Sequence, residues 1–307
     1  VTKTRLSLII ATLLALTACG GQDAGTEVSE TTAEAIEQAS ELAAEVAEET
    51  TENPFFEVST LPLQMPPFDQ IRDEHFIPAM ERGMEEHLAE IQTIASNSDA
   101  PTFDNTIVAM ERSGRTLSRV AAVFFNLVGA DTNDARQQIQ REMSPRLSAH
   151  SDAILLNPEL FARVDALYQQ RDALALDAEQ LRLLEETRRD FVRAGAQLSE
   201  EQKTRLREIN GELARLGTEF SQNVLKEVND IALIVDSAAE LEGLSEAQIE
   251  AAASEAASRG HEGKYALTLM NFSSQPQLAQ LARRDVREKL MWRSLMRGSR
   301  GNEFDNR

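Results

Sequence analysis

Cysteine is almost absent: the 307 residues hold one, Cys19, so no disulfide can form within a single chain. Histidine is scarce too, with four residues, and aromatic residues make up 5%. No apolar run reaches the length a membrane-spanning helix needs, the longest being Leu6–Leu16. There is no H-E-x-x-H, no G-x-S-x-G and no phosphate-cradling glycine loop. These gaps remove thiol, serine-hydrolase and nucleotide chemistry from the readable options. Basic charge is also short: Lys and Arg number 31 against 51 acids, for a net charge of −20. That balance argues against nucleic acid or anionic lipid surfaces as partners, both of which require basic patches.

What is present starts with a leader. Val1 stands where an initiator Met is expected, followed by Lys3, Arg5 and the apolar Leu6–Leu16 run. Leu16-Thr17-Ala18-Cys19 then resembles a bacterial lipobox, so residues 1–19 read as a lipoprotein signal with Cys19 as the acylated first residue. Gly20 after the cysteine fits sorting to the outer membrane, by analogy with known lipoproteins. Several acyl chains together anchor firmly where one is marginal. The expected location is therefore the cell envelope, at the periplasmic face of the outer membrane. Residues 20–53 are rich in Ala, Glu and Thr, with ten acids and no Lys or Arg. Like charges at i,i+4 oppose a helix there, so the segment reads as a solvated tether.

Residues 54–307 carry the folded pattern, and it is mainly helical. Leu61–Phe68 holds three prolines and reads as an extended strap. Pro78 sits in the first turn of a helix with Ile77, Met80, Met84, Leu88, Ile91 and Ile94 on one face. After Pro101-Thr102-Phe103-Asp104-Asn105-Thr106, apolar positions from Ile107 to Val128 step by threes and fours, predicting one regular helix. Asn133–Ser151 reads as a helical stretch interrupted by Pro145. Asn157-Pro158 and Asp177 open two further helices, the second closed by Gly195. Ser199-Glu200-Glu201-Gln202 is a capping box that opens the longest helix, with a predicted buried stripe of Leu206, Ile209, Leu213, Leu216, Phe220 and Val224. Beyond it the period changes. Residues 231–235 and 265–270 read as two short strands separated by a helix over Ser245–Arg259, giving a small β inset.

The histidines carry little chemistry. His75 and His87 are twelve apart, which predicts a helix-start residue and a surface residue; His150 reads as a hydrogen-bonded structural histidine. His261-Glu262-Gly263-Lys264-Tyr265 falls one residue short of a zinc-protease motif, because Tyr265 offers no imidazole. The flanking glycines favour a loop before a strand. The last predicted helix starts at Pro276, carries Leu278, Leu281, Val286, Leu290 and Leu295 on one side, and has Met291, Trp292 and Met296 beyond that stripe. Such a helix has more apolar surface than one partner can cover.

Four strings, Pro66–Met84 (PPFDQIRDEHFIPAMERGM), Pro101–Thr106, Ser144–His150 and Arg283–Gly301, resemble the thimet oligopeptidase family of zinc metallopeptidases, nearest its peptidyl-dipeptidase and oligopeptidase A branch. The resemblance covers nearly all of residues 53–307. It implies a mainly helical body forming one wall of a deep channel that admits short, unfolded peptides. It also implies a zinc site in a catalytic half whose motif lies downstream of this stretch. Carried over position by position, the family's catalytic and metal residues find no counterpart here: the catalytic, cofactor and metal sets are empty, and Cys19 is the one site residue, for lipid. The expected activity is peptide hydrolysis with zinc by a complete member, with this chain inactive and metal-free on its own. Short peptides and, through Cys19, a lipid bilayer are the implied partners. The competing expectation is a lipid-anchored helical scaffold or adaptor of the envelope.

Overall fold

The computed structural model describes residues 53–269 and 275–307. Leader, lipobox, tether and the end of the second predicted strand at Met270 lie outside them. Helix dominates the rest, with one two-stranded sheet among the described residues. Contacts divide the chain into two compact units.

The first unit contains Asn53–Glu86 and Arg115–Phe124. Helix α1 (Phe76–Ala95) begins here, after a short turn that ends at His75. Its buried Phe76 lies between Phe55 (ring centroids 5.5 Å apart) and Phe124 (5.0 Å). Asn53 donates to the His75 carbonyl at 2.9 Å and accepts from the Phe55 amide, fixing the chain on which Phe55 is carried. A Cβ on Gly83 would stand 2.8 Å from the Leu117 backbone, so only glycine permits this crossing. The expected Leu61–Phe68 strap is extended only in part: Pro62–Gln64 form a tight turn, with Leu63 and Gln64 at positive φ, and the Phe68 amide turns back to the Pro66 carbonyl.

The second unit comprises His87–Gly114 and Phe125–Arg307. Thr102 and Asn105 cap each other's backbone reciprocally and start a π-type turn, Phe103–Val108, that runs into α2 (Ala109–Arg112). The single helix expected from Ile107 to Val128 is broken. Gly114 adopts a left-handed φ of 68°, and α3 (Arg115–Ala130) begins after it. Then come α4 (Asp134–Leu155), α5 (Pro158–Gln169), α6 (Ala178–Arg193) and α7 (Glu200–Asp230). The caps Asn133, Asn157, Asp177 and Ser199 each accept from the backbone amide three residues on. Pro145 does not interrupt α4. It forfeits one backbone bond, while Met143 and His150, buried on either side of it, keep the helix packed.

Two apolar cores serve this unit. One joins Ile91, Ile107, Ile154, Leu160, Leu184 and Phe191 of α1, the π turn, α4, α5 and α6. Buried Arg163 stitches the Asn97–Asn105 loop to it, donating to the carbonyls of Asn97 (2.7 Å) and Asp99 (3.0 Å) and to Asn105 Oδ1 (3.0 Å). The other core underlies the sheet. Strands β1 (Leu233–Val235) and β2 (Tyr265–Leu267) pair antiparallel, Ile234 opposite Ala266. Helix α8 (Glu246–Ser258) separates them in sequence. Leu281, Val286 and Leu290 complete the core. The last helix, α9, spans Arg284–Leu295 and does not begin at Pro276, which starts only a short 3-10 turn. Gly243, with φ 100°, crosses the 280s so closely that a Cβ would meet the Gln280 carbonyl at 2.1 Å. There Ala282 N–H donates to Glu242 O at 2.7 Å.

Candidate functional site

Cys19 lies outside the described residues. His261 and Glu262 lie exposed in the turn before β2, with no second imidazole one helical turn on. His75 ends the turn that leads into α1, as its position predicts. His87 is the correction. It is not a surface residue but half-buried, packed over Gly114, whose Cβ would fall 2.7 Å from its Nδ1. Its Nε2 meets Ser113 Oγ at 3.1 Å, and its Nδ1 meets His150 Nε2 at 3.0 Å. The two rings are 63 residues apart in sequence and 5.0 Å apart between centroids. Beside them Glu90 accepts the Gly114 amide at 2.7 Å. Burial pushes both imidazoles below their ordinary range; Glu90 partly opposes this at His87, while His150 falls to about 4.

The second feature is α7, where four of the six residues of the predicted buried stripe face out and the other two, Leu206 and Val224, are half-buried. Leu213 is 61% exposed and Phe220 55%, with Ile209 and Leu216 also in the open. The buried side carries Lys203, Thr218 and Gln222, whereas Glu227, seven residues after Phe220, is buried on the stripe's own side beneath Arg300 and Asn302. Those groups are matched: Gln222 donates to the Gln137 carbonyl (2.9 Å) and Gln140 (3.1 Å) of α4 and accepts from Arg141. Asn210 donates to Asp152 at 2.7 Å. Lys203 pairs with Glu200 at 3.0 Å. Arg300 grips Glu227 through two bonds of 2.5 and 2.9 Å and Asp230 through a third of 2.6 Å. Asn302 adds a fourth donor at 2.9 Å, so a fully buried carboxylate is held ionised below its ordinary range.

The third feature is a groove of about 660 Å³ along α9, lined by Lys289, Trp292, Arg293, Met296 and Arg300 with Asp285 and Glu288. Trp292 is 58% exposed and Leu295 60%, as the excess of apolar residues on this helix implies. Among the described residues no three His, Cys, Asp or Glu side chains gather as a metal site.

These features define a mainly α-helical body with a small β inset, one polar helix-to-helix seam and uncovered apolar faces. No family model matches the chain. Individual proteins do. It is 42% identical over 258 residues to the dipeptidyl carboxypeptidase of Escherichia coli, which covers 84% of this chain and 38% of that protein. It is 44% identical over 255 residues to the dipeptidyl carboxypeptidase of Salmonella typhimurium, covering 83% and 38%. Oligopeptidase A of Haemophilus influenzae is 28% identical over 258 residues, covering 83% and 37%. These relatives are peptidases of the thimet oligopeptidase family, and the matched stretch of this chain belongs to it. The chain spans less than two-fifths of the length of the curated relatives it matches.

Proposed function

We propose that the chain is the non-catalytic, channel-forming part of a lipid-anchored zinc metallopeptidase that hydrolyses short peptides in the manner of a peptidyl-dipeptidase. The observation that carries this is the 42% identity to a dipeptidyl carboxypeptidase over a stretch amounting to 38% of that enzyme. The uncovered apolar stripe of α7 and face of α9 support it, since both have the character of surfaces that pack against more of the same fold.

Zinc is the family's metal, and the described residues do not fit it. The two imidazoles that meet are bonded to each other, Glu90 beside them is bonded to the Gly114 amide, and no three such side chains gather as a metal site among the described residues. No hydrolytic step is therefore drawn through this stretch, and the 307 residues alone are read as inactive. Its contribution would be to position and size-select peptides. Cys19 would hold the protein at the periplasmic face of the outer membrane, with residues 20–53 as spacer.

Two readouts test the reading. Sequencing the gene beyond codon 307 should show an in-frame H-E-x-x-H; an immediate stop codon would favour the scaffold or adaptor. Fractionating cells that carry Cys19→Ala should release the protein from the membrane. Unchanged processing and membrane retention would remove the lipid anchor.

A further inference from the structure

The bonds around His87 and His150 fix where every proton sits. Ser113 Oγ donates to the Met110 carbonyl at 2.6 Å, which uses its only hydrogen. The 3.1 Å contact with His87 Nε2 is therefore donated by the ring. His87 Nδ1 is then a lone pair, and His150 Nε2 must be the donor across 3.0 Å. That leaves His150 Nδ1 as a lone pair, and this atom is buried without a partner. Assigned in this way, both rings are neutral and point their protons along one line toward Met110.

An added proton has no good place. On His150 Nδ1 it would be a buried N–H with no acceptor. On His87 Nδ1 it would face the His150 N–H, unless His150 shifted its own proton to the same unpartnered Nδ1. A second proton would set two cations side by side. We propose that the His87–His150 pair is an acid-operated latch, which ties α4 to the Ser113–Gly114 turn while neutral and lets them part when protonated. This goes beyond the peptidase reading and does not depend on it.

Charges around the latch are few. From α1, Glu90 faces His87 and favours its protonation. The turn offers only the Ser113 hydroxyl and the Gly114 amide. On α4 Arg146 stands one turn before His150, in contact with Glu142 and the Met143 sulfur, and Asp152 two residues on is engaged by Asn210 of α7. The charge that acts on His150 is the one His87 would itself carry. With both rings below the ordinary 6.5 in the folded chain and at 6.5 when unfolded, the unfolded state takes up protons first. Stability from the pair is complete above pH 6.5 and is lost as pH falls toward about 4.

The test labels the four histidine rings of the full chain and follows them by NMR against pH, with His75→Gln and His261→Gln to assign the other two. We expect both His87 and His150 as neutral Nε2–H tautomers at neutral pH, with His150 titrating near pH 4. The amides around His150 should lose exchange protection over the same range. The folding constant should fall at least roughly tenfold between pH 6.5 and 4.5. His150→Gln keeps a donor toward His87 and does not titrate, so it should lose that component. Titration of either ring at 6.5 or above would overturn the latch. So would ring protonation with α4 amides unmoved, or a His150→Gln protein with the native pH dependence. If that variant fails to fold, the native-chain titration decides alone.

Discussion

Helices α5 and α6 and helix α7 are all amphipathic at the helical period, yet they face opposite ways. In the first pair the apolar stripe is inside: Leu160 and Leu184 are fully buried and Phe191 is 1% exposed. In α7 the middle of the apolar stripe, Ile209 to Phe220, is outside, and a polar side with Lys203 at 3% and Gln222 at 5% exposure is inside. Amphipathicity shows which face needs a partner; it does not show whether that partner is at hand. The two kinds of contact also differ in what they give. An apolar core stabilises in proportion to the area it buries. A polar seam gives little net energy but only one register in which every donor is met. Gln222 against Gln137 and Asn210 against Asp152, two matched points along α7, set that register.

Substitutions on the two sides should separate these roles. Phe191→Ala, in the apolar core, should cost about 3–5 kcal/mol in denaturant unfolding. A loss under about 1 kcal/mol would mean that this core is not what holds the unit. Arg300→Ala leaves the buried Glu227 without its main partner and should cost about 2–3 kcal/mol, the exposed part of Arg300 reducing the full value. The same variant should flatten the acid limb. Glu227 titrates below its ordinary 4.5 when folded, so its stabilisation is present above that pH and lost as pH falls below it. An acid limb unchanged by Arg300→Ala would exclude this pair as its source. Leu213→Ser, on the outward stripe, should change stability by about 0.5 kcal/mol or less. It should, however, reduce apolar-dye binding and self-association of the chain. A loss as large as that for Phe191 would show the stripe to be covered in solution.

Local signals were legible because they act over three or four residues. The reciprocal cap at Ser199/Gln202, the stop at Gly195 and the two strands all follow from such short spacings. The family resemblance, too, was carried by local strings. What was not legible depends on distance. Gly114 fits a period-of-four apolar pattern, and only the approach of the His87 ring explains the break there. His87 and His150 are joined across 63 residues, and no spacing rule signals that. Pro145 forecasts a broken helix by its own chemistry, yet the packing of Met143 and His150 on either side outweighs one lost backbone bond. The α7 reversal needed knowledge of α4, whose Gln137, Gln140 and Arg141 supply the polar partners.

The tight crossing at Gly243 bears on the order in which the chain assembles. The bond from Ala282 to Glu242 spans forty residues, and the strand pair it accompanies closes a comparable loop. Both closures lie within residues 231–290, which have an apolar core of their own. Closing loops of this size costs only slowly growing entropy, and one closure shortens the path to the other. The described parts of that segment share one core, so they are expected to open together as one cooperative unit. A side chain at 243 would stand against the Gln280 carbonyl and so oppose the closure that the Ala282–Glu242 bond makes.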